Sequence, residues 1–254
     1  MSDHIIKVNK LNYIYPDGNK ALKEITFNIR KGESVGIIGS NGSGKSTLLM
    51  NLVGVTFPNS GEISIDDISV HKNTLKDIRR KVGMVFQNSD EQLFMTTVYD
   101  DVAFGPRNYK LSEDEVEFRV KTSLEKVGIS HLINKAPYRL SGGEKRSVAI
   151  ATVLAMNPDV LLMDEPTTAL DPRSRRRFIN LLKDFSHTKI ITSHDLDMIL
   201  EICNRVIVLN EGCIVADRST LSIFKDDKLM QMCGLEKPLS MQNCYVCGSG
   251  KKVI

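Results

Sequence analysis

Residues Gly39-Ser40-Asn41-Gly42-Ser43-Gly44-Lys45-Ser46 fit the spacing G-x-x-x-x-G-K-[ST] of a phosphate-cradling loop. Glycine lets the backbone curl until successive N–H groups point inward, where phosphate oxygens can meet them. A helix N-terminus just behind the loop adds partial positive charge. Lys45 is long enough to reach the outer phosphates, and Ser46 offers a hydroxyl to Mg²⁺, with Thr47 next in line. The chemistry is nucleoside triphosphate binding. The loop alone leaves kinase, motor, GTPase and transporter subunit open.

Asp164-Glu165 ends the apolar run Leu161-Leu162-Met163. A strand ending there delivers Asp164 beside the phosphate loop, where one carboxylate can hold Mg²⁺. Glu165 falls on the other side of the strand end, free to orient or deprotonate a water. A third group, Leu140-Ser141-Gly142-Gly143-Glu144, places a hydroxyl and bare backbone N–H groups at a helix start, an arrangement suited to an anion. A plain N-cap is the competing explanation for that pentapeptide. Tyr13-Ile14-Tyr15 puts an aromatic pair before a turn.

The elements that must position these residues alternate strand and helix, which predicts an α/β fold on a largely parallel sheet. Strands are expected at residues 5–11, 25–29, 34–38, 82–86, 159–163 and 189–192, and a hairpin at 205–215 with Asn210-Glu211-Gly212 in its turn. The phosphate loop then sits between the strand 34–38 and a helix from Lys45. Residues 88–158 carry helical signals instead. Ser112-Glu113-Asp114-Glu115 is the pattern of a capping box, Val116, Val120, Leu124 and Val127 share one helix face, and Gly128 ends it. The expected organisation is one domain over 1–225, with a helical subdomain inserted at about 88–158 and a β-rich edge. A C-terminal extension, 226–254, ends in a polar, partly mobile tail.

Composition narrows the function classes. Among 254 residues, 34 Lys and Arg nearly balance 31 Asp and Glu, and aromatics make up 6% with no Trp. That balance argues against a nucleic-acid partner, as does the shortage of stacking side chains. No apolar run approaches the roughly 18 residues of a membrane span, and the N-terminus shows no leader pattern. Five cysteines, an odd count, read as reduced thiols. Cys244 and Cys247 make a lone C-x-x-C, read as free thiols on the tail because zinc wants four ligands. Arg173-Ser174-Arg175-Arg176-Arg177 reads as the solvated face of a helix opened by Pro172.

In order and spacing, the phosphate loop, Gln87, Leu140 to Glu144, Asp164-Glu165, Ala169-Leu170-Asp171 and His194 resemble the ATP-binding subunits of ABC transporters over residues 3–225. The resemblance implies a P-loop ATPase whose protomers pair head to tail around ATP and Mg²⁺. The pair is a homodimer or a heterodimer with a paralogue. It implies that Tyr15 stacks on adenine and that Gln87 joins Ser46 and Asp164 at the Mg²⁺. It also implies that Glu165 and His194 serve hydrolysis and that Asp171 lies at the dimer interface. Leu140, Ser141, Gly142, Gly143 and Glu144 would face the nucleotide held by the other chain. Residues 86–94 and 97–106, with Lys145-Arg146 and Val148-Ala149-Ile150-Ala151, are similar more narrowly to the ATPases of energy-coupling factor importers of the cobalt and nickel type. Ser89 and Ser147 depart from that pattern, where proline and a basic residue are common. Integral membrane subunits and a place on the cytoplasmic face of the membrane follow from the same resemblance. The rival class is a soluble ABC ATPase acting on nucleic acid or the ribosome.

Overall fold

The computed structural model describes residues 3–242, so Cys244 and Cys247 lie outside the described residues. Strands β1 (His4–Ile14) and β2 (Lys20–Arg30) pair antiparallel. Strand β3 (Ser34–Ile38) runs into the phosphate loop and helix α1 (Lys45–Leu52). Strands β4 (Ser60–Ile65) and β5 (Ile68–Ser69) complete a four-stranded antiparallel sheet in the order β2-β1-β4-β5. Helix α2 (Leu75–Lys81) leads to β6 (Val82–Val85).

After β6 come α3 (Val98–Asn108), α4 (Glu113–Val127) and α5 (Gly142–Leu154), then β7 (Val160–Asp164), α6 (Pro172–Asp184), β8 (Thr188–Thr192) and α7 (Leu196–Ile202). Strands β9 (Arg205–Asn210) and β10 (Cys213–Ser219) form the expected hairpin on a two-residue turn, and α8 (Thr220–Phe224) and α9 (Asp227–Met232) follow. The second sheet is ordered β10-β9-β3-β8-β7-β6, parallel except for β10 at its edge.

The inner strands β3, β7 and β8 are buried along their whole length because both faces of the sheet are covered. Period-two alternation divides each strand between two cores. Val160 and Leu162 of β7 face the core shared with the antiparallel sheet and α1, while Leu161 and Met163 face the helices. Val206 and Val208 of β9 split from Ile207 and Leu209 in the same way.

Asp164 ends β7 and reaches the cavity of the phosphate loop as expected, although β8 lies between β3 and β7. Register pairs Asp164 with Thr192, so the carboxylate approaches the loop across the end of β8. The capping box at α4 is only half made. Ser112 Oγ accepts from the Glu115 N–H at 3.4 Å, but the Glu115 carboxylate accepts from Arg119 Nε at 2.7 Å. A guanidinium one turn ahead is a stronger partner than a backbone amide. Val116, Val120, Leu124 and Val127 are buried as the spacing requires.

The arginine run is not simply solvated. Arg175 forms two bonds to Asp195 at 2.6 and 2.7 Å, and Arg176 reaches Glu201 at 2.7 Å. Beyond Lys225, Leu229, Met230 and Cys233 are buried in the helix-side core. The Asp197 carboxylate accepts the N–H groups of Leu239 and Ser240, each at 3.0 Å.

Candidate functional site: a nucleotide cavity and a separate signature face

The C-terminal ends of four parallel strands open on one cavity of about 330 Å³. β3 supplies the loop from Gly39, β7 supplies Asp164 and Glu165, β8 leads to His194, and β6 leads to Gln87. Tyr15, at the end of β1, closes one side. A crevice at these strand ends is where open α/β sheets bind ligands.

Close backbone approach shapes the loop. A Cβ on Gly39 would lie 2.2 Å from the Leu209 carbonyl oxygen, and one on Gly44, at φ 105°, would lie 2.6 Å from that of Ala21. Only glycine fits either place. The hairpin turn props the loop from behind, as the Gly212 N–H donates to the Ser43 carbonyl at 3.2 Å. The Lys45 ammonium donates to the carbonyls of Gly39 and Ser40 at 2.8 and 3.0 Å. Burial lowers its pKa, and Glu165 and Asp164 oppose that shift. Ser43 Oγ is buried without a hydrogen-bond partner. The Lys45 ammonium and the backbone of Gly42 and Gly44, which line the cavity, suit an anion with several oxygens.

At the carboxylate side, Asp164 Oδ1 accepts from Thr192 Oγ1 at 2.5 Å. Glu165 takes a left-handed conformation, φ 48°, and its N–H donates to the Thr192 carbonyl at 3.0 Å. Its Oε2 accepts from Ser193 Oγ at 3.2 Å and from the His194 N–H at 3.1 Å. Its Oε1 is buried, has no hydrogen bond, and lies 3.6 Å from His194 Nε2. Ser46, Asp164 and exposed Gln87 line the same cavity. A hydroxyl, a carboxylate and an amide carbonyl form an all-oxygen set that fits a hard divalent cation such as Mg²⁺. Tyr15 Oη shares a hydrogen bond with Thr47 Oγ1 at 2.8 Å and packs edge-on to Tyr13 at 5.0 Å. Asn41 and Gly42 line the cavity with it.

Leu140 to Glu144 lie elsewhere. Leu140 is buried, and Ser141 caps α5 in a complete capping box. Ser141 Oγ accepts from the Glu144 N–H at 3.3 Å, and Glu144 Oε2 accepts from the Ser141 N–H at 2.8 Å. The plain N-cap is therefore real. The same backbone bond and the Ser141 hydroxyl hold the Glu144 carboxyl below its ordinary range. Ser141, Gly142 and Gly143 share a second concavity with Ala169 and Asp171, and no residue lines both cavities. Asp171 caps α6, accepting from the N–H groups of Arg173 and Ser174 at 2.9 and 3.1 Å.

In the sequence Arg146 carries only the narrower resemblance, with no role of its own. Only 1% of it is exposed, and all five of its N–H groups go to backbone carbonyls. Burial pushes its pKa down to about 10, against the pull of Asp164 and Glu165. A signal was available. Ala149, Ile150 and Val153, three, four and seven residues on, are buried, so Arg146 stands on the apolar face of α5.

Residues 22–168, more than half of the chain, match the family model described as "ABC transporter". The chain belongs to the ABC transporter family. It is an ATP-binding subunit of the transporter type, an ATPase. It is 60% identical to a putative ABC transporter ATP-binding protein of Geobacter sulfurreducens, covering 98% of this chain and all of that one. It is 48% identical to the energy-coupling factor transporter ATP-binding protein EcfA of Methanothermobacter thermautotrophicus, covering 92% of this chain and 77% of that one. A solved structure of cbiO1 from Clostridium perfringens, described as part of the ABC transporter complex cbiONQ, superposes with a TM-score of 0.79. That protein is 42% identical, with 91% of this chain and 94% of that one covered. Among the described residues no helix of this ABC subunit is long and apolar enough to cross a membrane.

Proposed function

We propose that this ABC subunit drives an energy-coupling factor importer for cobalt or nickel ions from the cytoplasmic face of the membrane, by hydrolysing ATP between two protomers. The observation that carries the hydrolytic part is the buried, unbonded Oε1 of Glu165, facing a cavity that also holds Lys45 and Ser46. A lone carboxylate oxygen there is placed to take a proton from water. The water oxygen bonds to the γ-phosphorus, the bond from that phosphorus to the β–γ bridging oxygen breaks, and ADP leaves with the bridging oxygen. Lys45 exchanges its two loop carbonyls for phosphate oxygens, and the His194 ring holds the γ-phosphate. Mg²⁺, with Ser46, Asp164 and Gln87 as its oxygen ligands, supplies charge neutralisation at the outer phosphates. Tyr15, fixed by Thr47, offers its ring face to adenine.

Two protomers are required because one chain holds only half of each closed site. Ser141, Gly142 and Gly143 open on a concavity that shares no residue with the phosphate cavity, so a second copy or a paralogue must bring them to the γ-phosphate. Asp171 sits in that same concavity, at the meeting surface. ATP favours the closed pair because it contacts both chains only there. The membrane partner docks on the segment after Gln87, where exposed Phe94 and Phe104 stack edge to face at 5.0 Å. The likeness to EcfA supports the energy-coupling factor class, the likeness to cbiO1 supports a subunit of an ABC transporter complex, and the cobalt or nickel cargo rests on the sequence resemblance alone.

The test is affinity purification of the tagged protein from detergent-solubilised native membranes, then reconstitution into vesicles. A transmembrane scaffold and a small integral binding protein should co-purify, and the vesicles should accumulate Co²⁺ or Ni²⁺ only with ATP. Recovery with ribosomes or DNA in the soluble fraction would overturn the importer reading.

A further inference from the structure

Arg146 joins parts of the molecule that the proposed function keeps separate. It lies on α5, three residues beyond Gly143, so the signature face and the guanidinium ride on the same helical turn. Nε donates to the Pro166 carbonyl at 3.1 Å. One terminal nitrogen donates to the carbonyls of Phe86 and, at 3.1 Å, Gln87. The other donates to those of Asp164, at 2.7 Å, and Glu165. No carboxylate accepts from it. The five donors of a planar, rigid fork are all committed to main chain.

These five carbonyls belong to the two segments that carry the hydrolytic groups. Phe86 and Gln87 precede the surface proposed for the membrane partner, and Asp164 to Pro166 include the left-handed backbone of Glu165. A residue other than glycine keeps such a conformation only where its surroundings impose it. Here Arg146 holds the carbonyls of Asp164, Glu165 and Pro166, while the Thr192 carbonyl and the Thr168 N–H hold the N–H and carbonyl of Glu165. A fork with no spare donor cannot follow a tilt of α5 without moving these carbonyls or releasing them.

We propose that Arg146 is a positioning residue that couples the two ATP sites, so that the helix engaging the nucleotide of the other chain sets the Glu165 backbone of its own. The coupling rests on the two-protomer reading above. Lysine at this position keeps a positive charge but offers three donors from one point, too few and too compact for two segments.

The test uses the full chain carrying Arg146→Lys or Arg146→Gln. Equilibrium ATP binding, steady-state hydrolysis and thermal unfolding are measured beside the parent protein. ATP affinity and KM should stay within about twofold, while kcat falls roughly 10-fold for Lys and roughly 100-fold for Gln, because Lys45 and the loop are untouched. The Hill coefficient for ATP should fall from above 1 toward 1 in both variants. A cooperative parent whose Arg146→Lys variant keeps its kcat and its Hill coefficient overturns the coupling alone. Parallel loss of ATP affinity and folded protein in both variants makes Arg146 a structural clamp, and also overturns it. A parent with a Hill coefficient of 1 has no coupling for Arg146 to carry and overturns the proposal, whereas a Glu165→Gln parent that stays monomeric with ATP overturns the two-protomer reading itself.

Discussion

Glu165 Oε1 and His194 Nε2 face each other across 3.6 Å, and no hydrogen bond closes on that carboxylate oxygen. The other oxygen is fully engaged, by Ser193 Oγ and the His194 N–H. The carboxylate is thus anchored at one atom and left unbonded at the other. Glu165→Gln keeps the shape and removes the base. ATP binding and ATP-dependent dimerisation should survive, while phosphate release falls by about 10²- to 10⁴-fold. Normal turnover in this variant would refute the base role.

His194 holds Glu165 through its backbone, not its ring. His194→Ala therefore leaves the anchored oxygen in place and removes only the imidazole. The loss should be smaller than for Glu165→Gln, roughly 10- to 100-fold in kcat. A loss equal to that of Glu165→Gln would mean that the ring and the carboxylate act as one unit.

Lys45 is buried, and burial lowers its pKa from 10.5. The folded state then binds this proton less tightly than the unfolded state. Stability from Lys45 rises with pH between the lowered value and 10.5, and at neutral pH its charge is a cost. Lys45→Met removes that cost together with two hydrogen bonds to carbonyls. In the absence of nucleotide, unfolding in urea should shift by no more than about 1 kcal/mol. The stabilisation by ATP, about 2.7 kcal/mol at a hundredfold excess over Kd, should vanish. A variant still stabilised by ATP would remove Lys45 from the phosphate site.

Ser141 combines two tasks that a substitution can separate. Ser141→Asp preserves an N-cap acceptor for α5 and puts a negative charge on the signature face. Ser141→Ala loses the cap, which costs about 1 kcal/mol. The Asp variant should unfold like the parent yet fail to dimerise with ATP in the Glu165→Gln background. Dimerisation unchanged by Ser141→Asp would place the other chain's phosphate elsewhere.

The phosphate loop and the acidic pair were legible because their chemistry demands fixed spacing within a few residues. The strands of the parallel sheet were legible because burial on both faces fills them with apolar residues, as in Val160-Leu161-Leu162-Met163. β4 and β5 were missed, since Ser60, Gly61 and Glu62 give β4 no apolar start and β5 has only two residues. That β8 separates β3 from β7 is set by crossovers, which no local pattern encodes. The role of Arg146 was not legible for a related reason. Its partners are backbone carbonyls from distant segments, and carbonyls carry no residue identity to read.

Arg175 and Asp195 tie α6, next to Asp171, to α7, next to His194. The bonds are 2.6 and 2.7 Å long, and both side chains are mostly buried. Burial opposes ionisation of Asp195, but the Arg175 guanidinium, the Met198 N–H and the Thr167 hydroxyl outweigh it, and the pKa falls below 3.8. A carboxyl with a lowered folded pKa contributes stability above its unfolded value, and loses it as pH falls through the folded value. Asp195→Asn keeps the cap on the Met198 N–H and removes the charge. Urea unfolding at pH 7 should show a loss of about 1 kcal/mol, since the pair is partly screened. The gap between parent and variant should narrow as the pH is taken below 3.8. A gap that stays constant from pH 7 to pH 3 would show that the pair contributes through shape, not charge.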